Sequence, residues 1–374
     1  MHVATRPCVQ AGRQVIVTWI LLFLPAFTAQ VGADGGLESR YPQADAYLGE
    51  AIQPDELQAA QRLINTLEEK IKTTYGPGEA RRDAHPKAHG CVAADFVIND
   101  DIPAELSHGV FQPGASYRAK IRFSNGSPNA SGDDITGDTR GMAIKLYGVP
   151  GEKLFASVDR ADQQDFILIS SPFFFINDAN GYASFFERVD SGSLMQMLKI
   201  PFILGWQGSL NAYKMLSQTI ANPLETRYWS VVPYQLGLGP ERQAVKYSVR
   251  ACADGSSRIP EDPSSNYLRE AMVQSLAAGP ACMEFMVQPR TAKMSVEDSI
   301  TRWSEDESPF QPVAKLTIGQ QTFDTPEQNR LCENESYNPW QSLAAHKPLG
   351  TVSRIRRVVY EAIRDLRHTM NGVD

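Results

Sequence analysis

The sequence predicts an α+β fold in which helices surround an antiparallel sheet or barrel. Three observations carry this. Short runs of alternating apolar and polar residues crowd the front half, mixed elements fill the middle, and one long amphipathic helix closes the chain. Hydrophobic residues make up 42% of the 374 positions and charged residues 21%, enough for a sizeable core and against wholesale disorder. The net charge of −7 speaks against a broad nucleic-acid footprint.

Residues 1–33 differ from the rest. Arg6 and Arg13 are their only charges, an apolar run covers Val15 to Phe27, and Val31-Gly32-Ala33 is a small-residue cleavage signal, with Ala29 a second candidate. That order is expected of a secretory signal peptide. The run is short for a membrane span, and Pro25 interrupts it, so an uncleaved anchor is the alternative. The expected location is secreted or periplasmic, with no membrane contact after cleavage. Residues 34–53 are expected to be a mobile linker, and 54–374 the functional domain.

A helix is expected from about Asp55 to Thr74, where Ala60, Leu63, Ile64, Leu67 and Ile71 recur at helical spacing before Gly76-Pro77. Strands follow at Cys91–Ile98, Tyr117–Phe123, Gly141–Tyr147 and Asp165–Ile169, with a further apolar run at Phe173–Ile176. Residues 180–222 suggest short helices, with Met195, Met197 and Leu198 on one side. Strands return near Tyr228–Leu236, Val245–Ala253, Cys282–Gln288 and Val313–Ile318, and a helix near Asn266–Ala278. The final helix spans about Val352–Met370.

Cys8 falls in the signal segment, leaving Cys91, Cys252, Cys282 and Cys332. Three pairings are open. Cys252 with Cys282 is preferred because each lies in a strand-like segment, and four buried thiols are the alternative. The absence of a CxxC pair argues against structural zinc. No G-x-S-x-G, H-E-x-x-H or P-loop motif occurs. Asp133, Asp134 and Asp138 lack the spacing of a calcium loop. Sequons begin at Asn125, Asn129 and Asn334.

The closing helix carries the most specific chemistry. Ile355, Val359, Ile363, Leu366 and Met370 form an apolar stripe, and Arg356, Tyr360, Arg364 and Arg367 fall on its flank. Solvated arginines on an amphipathic helix are the ordinary explanation. The chemical one is an anionic ligand: a phenol normally ionises near pH 10, and a guanidinium one turn away favours the phenolate. Tyrosinate is an axial ligand of haem in catalases.

Four further blocks stand in order ahead of that helix: Arg82-Asp83-Ala84-His85-Pro86-Lys87-Ala88-His89-Gly90, Arg122-Phe123-Ser124-Asn125, Asp138-Thr139-Arg140-Gly141-Met142-Ala143-Ile144-Lys145, and Pro172-Phe173-Phe174-Phe175-Ile176-Asn177-Asp178. With Arg356-x-x-x-Tyr360 they resemble the catalase superfamily, whose blocks look like R-V-V-H-A-x-G, R-F-S-T, D-x-R-G-x-A-x-K and P-x-F-F-I-x-D. The likeness is closest to short bacterial catalase-like proteins. It implies an antiparallel β-barrel core of catalase type, with surrounding helices and a C-terminal helix carrying the proximal ligand.

It also implies haem b, with Tyr360 on the iron and Arg356 beside it. His85 matches the distal histidine, a role that suits imidazole as an acid and base; His89 is the rival. Ser124 matches the residue that orients it. Arg82, Arg122 and Arg367 match the arginines that pair with haem carboxylates and the proximal side, and Phe175 matches a ring packed on the porphyrin. Arg140, Gly141 and Lys145 match a structural block. Glycosylation at Asn125, beside the expected pocket, would contradict this picture.

One departure bears on activity. Full catalases carry a distal asparagine in a G-N-N-T-P-type stretch, and here Leu168-Ile169-Ser170-Ser171-Pro172 places Ser170 there. A hydroxyl lacks the two donors of the amide. The resemblance therefore implies a peroxidase using hydrogen peroxide or organic hydroperoxides and a small reductant, with weak catalase activity at most. The alternatives are an enzyme similar to allene oxide synthase and a non-catalytic haem carrier or sensor. The shortness of the chain implies a monomer or dimer.

Overall fold

The computed structural model describes residues 34–155 and 160–373; the expected signal segment and Cys8 lie outside them. Eight helices are described: α1 (Asp34–Glu38), α2 (Glu56–Thr74), α3 (Ala179–Asp190), α4 (Leu194–Met197), α5 (Ile200–Leu216), α6 (Tyr267–Ala278), α7 (Pro326–Asn334) and α8 (Thr351–Asn371). Nine strands are β1 (Ala88–Ile98), β2 (Ser116–Asn125), β3 (Arg140–Tyr147), β4 (Gln164–Ile169), β5 (Tyr228–Trp229), β6 (Tyr234–Leu236), β7 (Gln243–Ala251), β8 (Ala281–Pro289) and β9 (Gln311–Ile318).

All named strand pairings are antiparallel. The order is β5-β4-β3-β2-β1-β9-β8-β7-β6, and β5 also pairs with β7. That last pairing closes a ring of eight strands, with β6 continuing along β7, which removes the open edges a sheet would otherwise expose. Alternation drives it: along β1, Val92, Ala94, Phe96 and Ile98 are buried inside. Phe111, Phe166, Tyr247 and Phe285 fill the interior in a mixture of edge-to-face, tilted and stacked contacts, with centroids 4.9–6.3 Å apart. His346 joins them, accepting from the Val110 amide and contacting the Tyr247 hydroxyl.

The expected strand Tyr228–Leu236 is two strands. Val231 adopts a left-handed φ of 64°, and the Ser230 hydroxyl accepts from the Tyr247 amide and donates to the Val232 carbonyl. The side chain thus takes over a place in the ladder. Phe173–Ile176 bends at Phe173 and Phe175 and does not pair as a strand. The helix α7 was not expected; its residues are mostly polar, and its signal was the capping box of Thr325 and Gln328.

Outside the ring, α2 packs on α8. Leu63, Ile64, Leu67 and Ile71 meet Ile355, Val359 and Ile363, all buried, each contributing roughly 1.5–3 kcal/mol. Residues 34–53, expected as a linker, lie along this body: Leu37 and Leu48 are buried, and Glu50 binds Arg354 of α8 at 2.8 Å. Cys252 pairs with Cys282, and Cys91 with Cys332. The second bridge ties α7 to the barrel strand β1.

Candidate functional site

A cavity lies between the barrel wall and the α2–α3–α8 layer. It encloses about 1030 Å³ of empty space, its open mouth included. His85, Arg82, Arg122, Ser124, Arg356, Tyr360 and Arg367 all line it. Residues far apart in the chain are therefore brought to one cavity, and their placement follows from local structure.

On β2, Arg122 and Ser124 are two apart and so share a face. The Ser124 hydroxyl lies 3.1 Å from His85 Nδ1, and the Arg122 guanidinium donates to the His85 carbonyl at 2.8 Å. His85 has a φ of 60°, a conformation that costs a non-glycine residue energy and is found where surroundings impose it. The Arg122 bond holds its carbonyl, and Gly141 on β3, opposite Ser124, leaves room for its ring. A Cβ there would come within 2.5 Å of His85 Nδ1 and 2.7 Å of Ser124 Oγ. Gly141→Ala is accordingly expected to push the imidazole off Ser124 and cost about 1–3 kcal/mol by overpacking, measurable as a lowered denaturation midpoint. An unchanged midpoint would show that the two side chains give way freely.

Burial, reinforced by the charges of Arg122 and Arg356, pushes the His85 imidazole down to about 3, so it is neutral at pH 7. The rival His89 lies off the cavity wall, 1% exposed and 3.8 Å from Asp134. Asn125 is also buried: it donates to Asp134 and accepts from Arg140, so its amide is inaccessible to glycosylation. Arg140 is itself 1% exposed, within a polar network behind the strand.

Arg356, Tyr360, Arg364 and Arg367 enter from α8. Burial works against the Arg356 charge, and the surrounding phenols of Tyr360, Tyr182 and Tyr234 more than offset it. Its Nε has no hydrogen-bond partner, and neither has the buried Nε of Arg122 or Arg367. Arg82, Arg122 and Arg367 converge on a single carboxylate, Glu333, at 3.0, 3.9 and 3.2 Å. Burial and the mutual repulsion with Arg82 push Arg122 down to about 9 and Arg367 to about 10, so both stay charged at pH 7. Three guanidiniums around one carboxylate leave positive charge for an anionic guest. Glu333 follows Cys332, so the Cys91–Cys332 bridge anchors the acid that gathers these arginines.

Two expected site residues lie elsewhere. The Ser170 hydroxyl accepts from the Arg140 amide at 2.8 Å and donates to Gln218 at 3.0 Å, and Ser170 does not line the cavity. A side chain this short is satisfied by the adjacent backbone and does not reach the cavity wall. Phe175 packs on Phe174 and Phe185, at 4.4 and 4.9 Å. The aromatic wall is made by Tyr182 and Phe186 of α3, while Phe174 lies against the Arg356 guanidinium, 5.8 Å away.

Asp83, which had no expected role, lines the cavity beside Arg82 and His85. Burial pushes its carboxyl up, opposed in part by backbone amides and Lys70. The available signal was its place in the first block, where the superfamily pattern has an apolar residue. Among the described residues no cluster of three His, Cys, Asp or Glu side chains could hold a metal ion. A haem iron needs only one protein ligand, and the donor set here fits that group: a phenol with a guanidinium one turn away, unpartnered arginine nitrogens, and a deep aromatic-walled cavity.

No family model matches the chain, and no curated protein matches it. Solved structures do. A fungal catalase matches 80% of this chain at a TM-score of 0.60 and 16% identity. Catalase A from Saccharomyces cerevisiae matches 87% at 0.57 and 16%, and a bacterial catalase 87% at 0.54 and 15%. The chain spans 60%, 67% and 62% of those three proteins respectively. The eight-stranded antiparallel ring with its flanking helices and closing α8 is thus a catalase-like fold.

Proposed function

We propose that this protein is a haem b peroxidase acting on hydrogen peroxide or organic hydroperoxides, with weak catalase activity at most. The observation that carries the reading is the single cavity shared by the His85–Ser124 pair and the Arg356–Tyr360 pair. Tyr360 would ligate the iron, with Arg356 one helical turn before it on α8. Arg82, Arg122 and Arg367 would hold the two haem carboxylates through charge-assisted hydrogen bonds. The bound haem supplies the redox chemistry that consumes a peroxide.

The protein's own share is proton handling. Ser124 engages His85 Nδ1, which leaves Nε2 to take a proton from a peroxide and return it to the departing oxygen. Burial keeps that imidazole neutral at pH 7, the form that can take a proton. Ser170 is committed to Arg140 and Gln218. No amide donor stands in the asparagine place, which favours reaction with a separate small reductant over a second peroxide. Two disulfides fit an exported protein in an oxidising compartment.

His85→Ala is expected to keep haem absorbance and lose peroxidase turnover by roughly 10²–10⁴-fold, the usual contribution of a positioned acid-base group. Steady-state oxidation of a phenolic reductant by hydrogen peroxide measures it. A haem carrier or sensor would show no such loss. An enzyme similar to allene oxide synthase would consume a fatty-acid hydroperoxide without any reductant.

A further inference from the structure

The described surface concentrates its apolar exposure in one place. Nine of its sixteen exposed large hydrophobic side chains fall within residues 194–216, on α4 and α5. Phe202 is 88% exposed, Trp206 86%, Leu194 71% and Tyr213 70%. Scattered single apolar residues need no explanation, but a contiguous patch marks an interaction surface.

α5 is kinked at Gly205, whose φ is 64°, and beyond the kink Trp206 and Tyr213 are held outward by what the helix does on its other side. Asn211 donates to the carbonyls of Phe174 and Ile300, both at 2.8 Å. Gly208 lies so close to the Phe175 carbonyl that a Cβ would meet it at 2.4 Å. Met215 is buried. Residues 208, 211 and 215 therefore form the inner stripe, and 206, 210 and 213 the outer one, at helical spacing. α5 cannot roll to hide Trp206 without breaking those bonds.

Charge identifies the occupant. From Ser191 through Leu224 there is no acidic residue, and Lys199 and Lys214 are the only charges. Both are exposed. The chain as a whole carries −7, so this segment runs against the general balance. Exposed tryptophan, tyrosine and phenylalanine with lysines at the margin is the composition of a helix lying in a lipid interface, where lysines are drawn to an anionic surface. A two-fold contact between copies would instead bring these lysines together with no carboxylate on the same face to pair them. No described helix is long and apolar enough to cross a membrane, so the contact would be peripheral.

We infer that α4 and α5 form a membrane-docking face that seats the protein on an anionic lipid surface through Phe202 and Trp206. This departs from the sequence expectation of no membrane contact after signal cleavage, and it does not depend on the haem reading. The docked face sits one helix from the cavity: α3, which packs on α5, supplies Tyr182 and Phe186 to the cavity wall.

The test uses the full chain and vesicles of equimolar phosphatidylcholine and phosphatidylglycerol, the phosphatidylcholine carrying brominated acyl chains. Bromine quenches tryptophans that enter the lipid, and subtracting the signal of Trp206→Phe isolates Trp206 from Trp19 and the others. The expected result is quenching in wild type that Trp206→Phe lacks and that Phe202→Glu reduces at least tenfold at fixed lipid. Equal quenching in wild type and Trp206→Phe would overturn the inference, even if residues 1–33 hold the chain on the vesicle. So would a lipid-free dimer that Phe202→Glu dissociates, combined with no Trp206 quenching; the face would then belong to a second copy. The outward position of both side chains protects the fold, and an unchanged circular dichroism spectrum verifies it.

Discussion

Tyr360→Phe is expected to abolish haem retention while leaving the protein folded. The substitution removes one hydroxyl from a half-buried side chain on α8, and the ring that packs on the helix flank remains. Loss of a hydroxyl with no structural burden shifts stability by about 1 kcal/mol or less. The iron, in contrast, would lose the ligand that the proposed function gives it. The wild-type protein, expressed with ample haem, should show the Soret band of high-spin ferric haem. The variant should show little or none after gel filtration, at an unchanged far-ultraviolet circular dichroism spectrum. A Soret band of equal size in the variant would remove Tyr360 from the iron. Absence of haem from the wild type would remove the peroxidase proposal as a whole, without touching the fold.

Much of this site was legible in the chain, for a specific reason. Arg122 and Ser124 share a strand face, and Arg356, Tyr360, Arg364 and Arg367 share a helix face, so the periodicity of each element already groups them. All six line the cavity. What periodicity does not convey is direction at the ends of elements. Ser170 sits at a strand end, where a backbone amide competes for its hydroxyl. Phe175 sits in an unpaired stretch whose rings alternate differently from a strand, so its neighbour Phe174 reaches Arg356 instead. The helix α7 was hidden because it buries only Cys332. It nonetheless positions Glu333, the acid that three site arginines share.

Arg354 shows the same limit more sharply, and its removal carries the second large expected effect. On a helical wheel it is one more arginine next to the apolar stripe. In the fold it is fully buried, with Glu56 at 2.7 Å, Glu50 at 2.8 Å and Glu297 at 2.9 Å. These acids come from the segment before α2, from α2 itself and from the loop after β8, so the arginine pins the start of α8 to three distant pieces of chain. Nothing in local spacing announces such a meeting. Arg354→Ala would leave Glu56 and Glu297 without their counter-charge, while Glu50 keeps Lys347 at 3.1 Å, a loss of about 3–5 kcal/mol for a broken buried pair.

The pH dependence distinguishes this from a simple packing defect. In wild type the Arg354 contacts outweigh burial and hold the Glu297 carboxyl below its usual range. Its contribution is therefore present above the unfolded carboxylate pKa and is lost as pH falls through the lower folded value. In Arg354→Ala, burial without the guanidinium would push the Glu297 carboxyl up. The penalty would then be largest at neutral pH and relieved as pH falls toward about 4, where that carboxyl takes up a proton. Urea midpoints for the two proteins should thus converge on acidification. A constant gap between them across that window would mean that the cluster holds α8 by shape and not by charge.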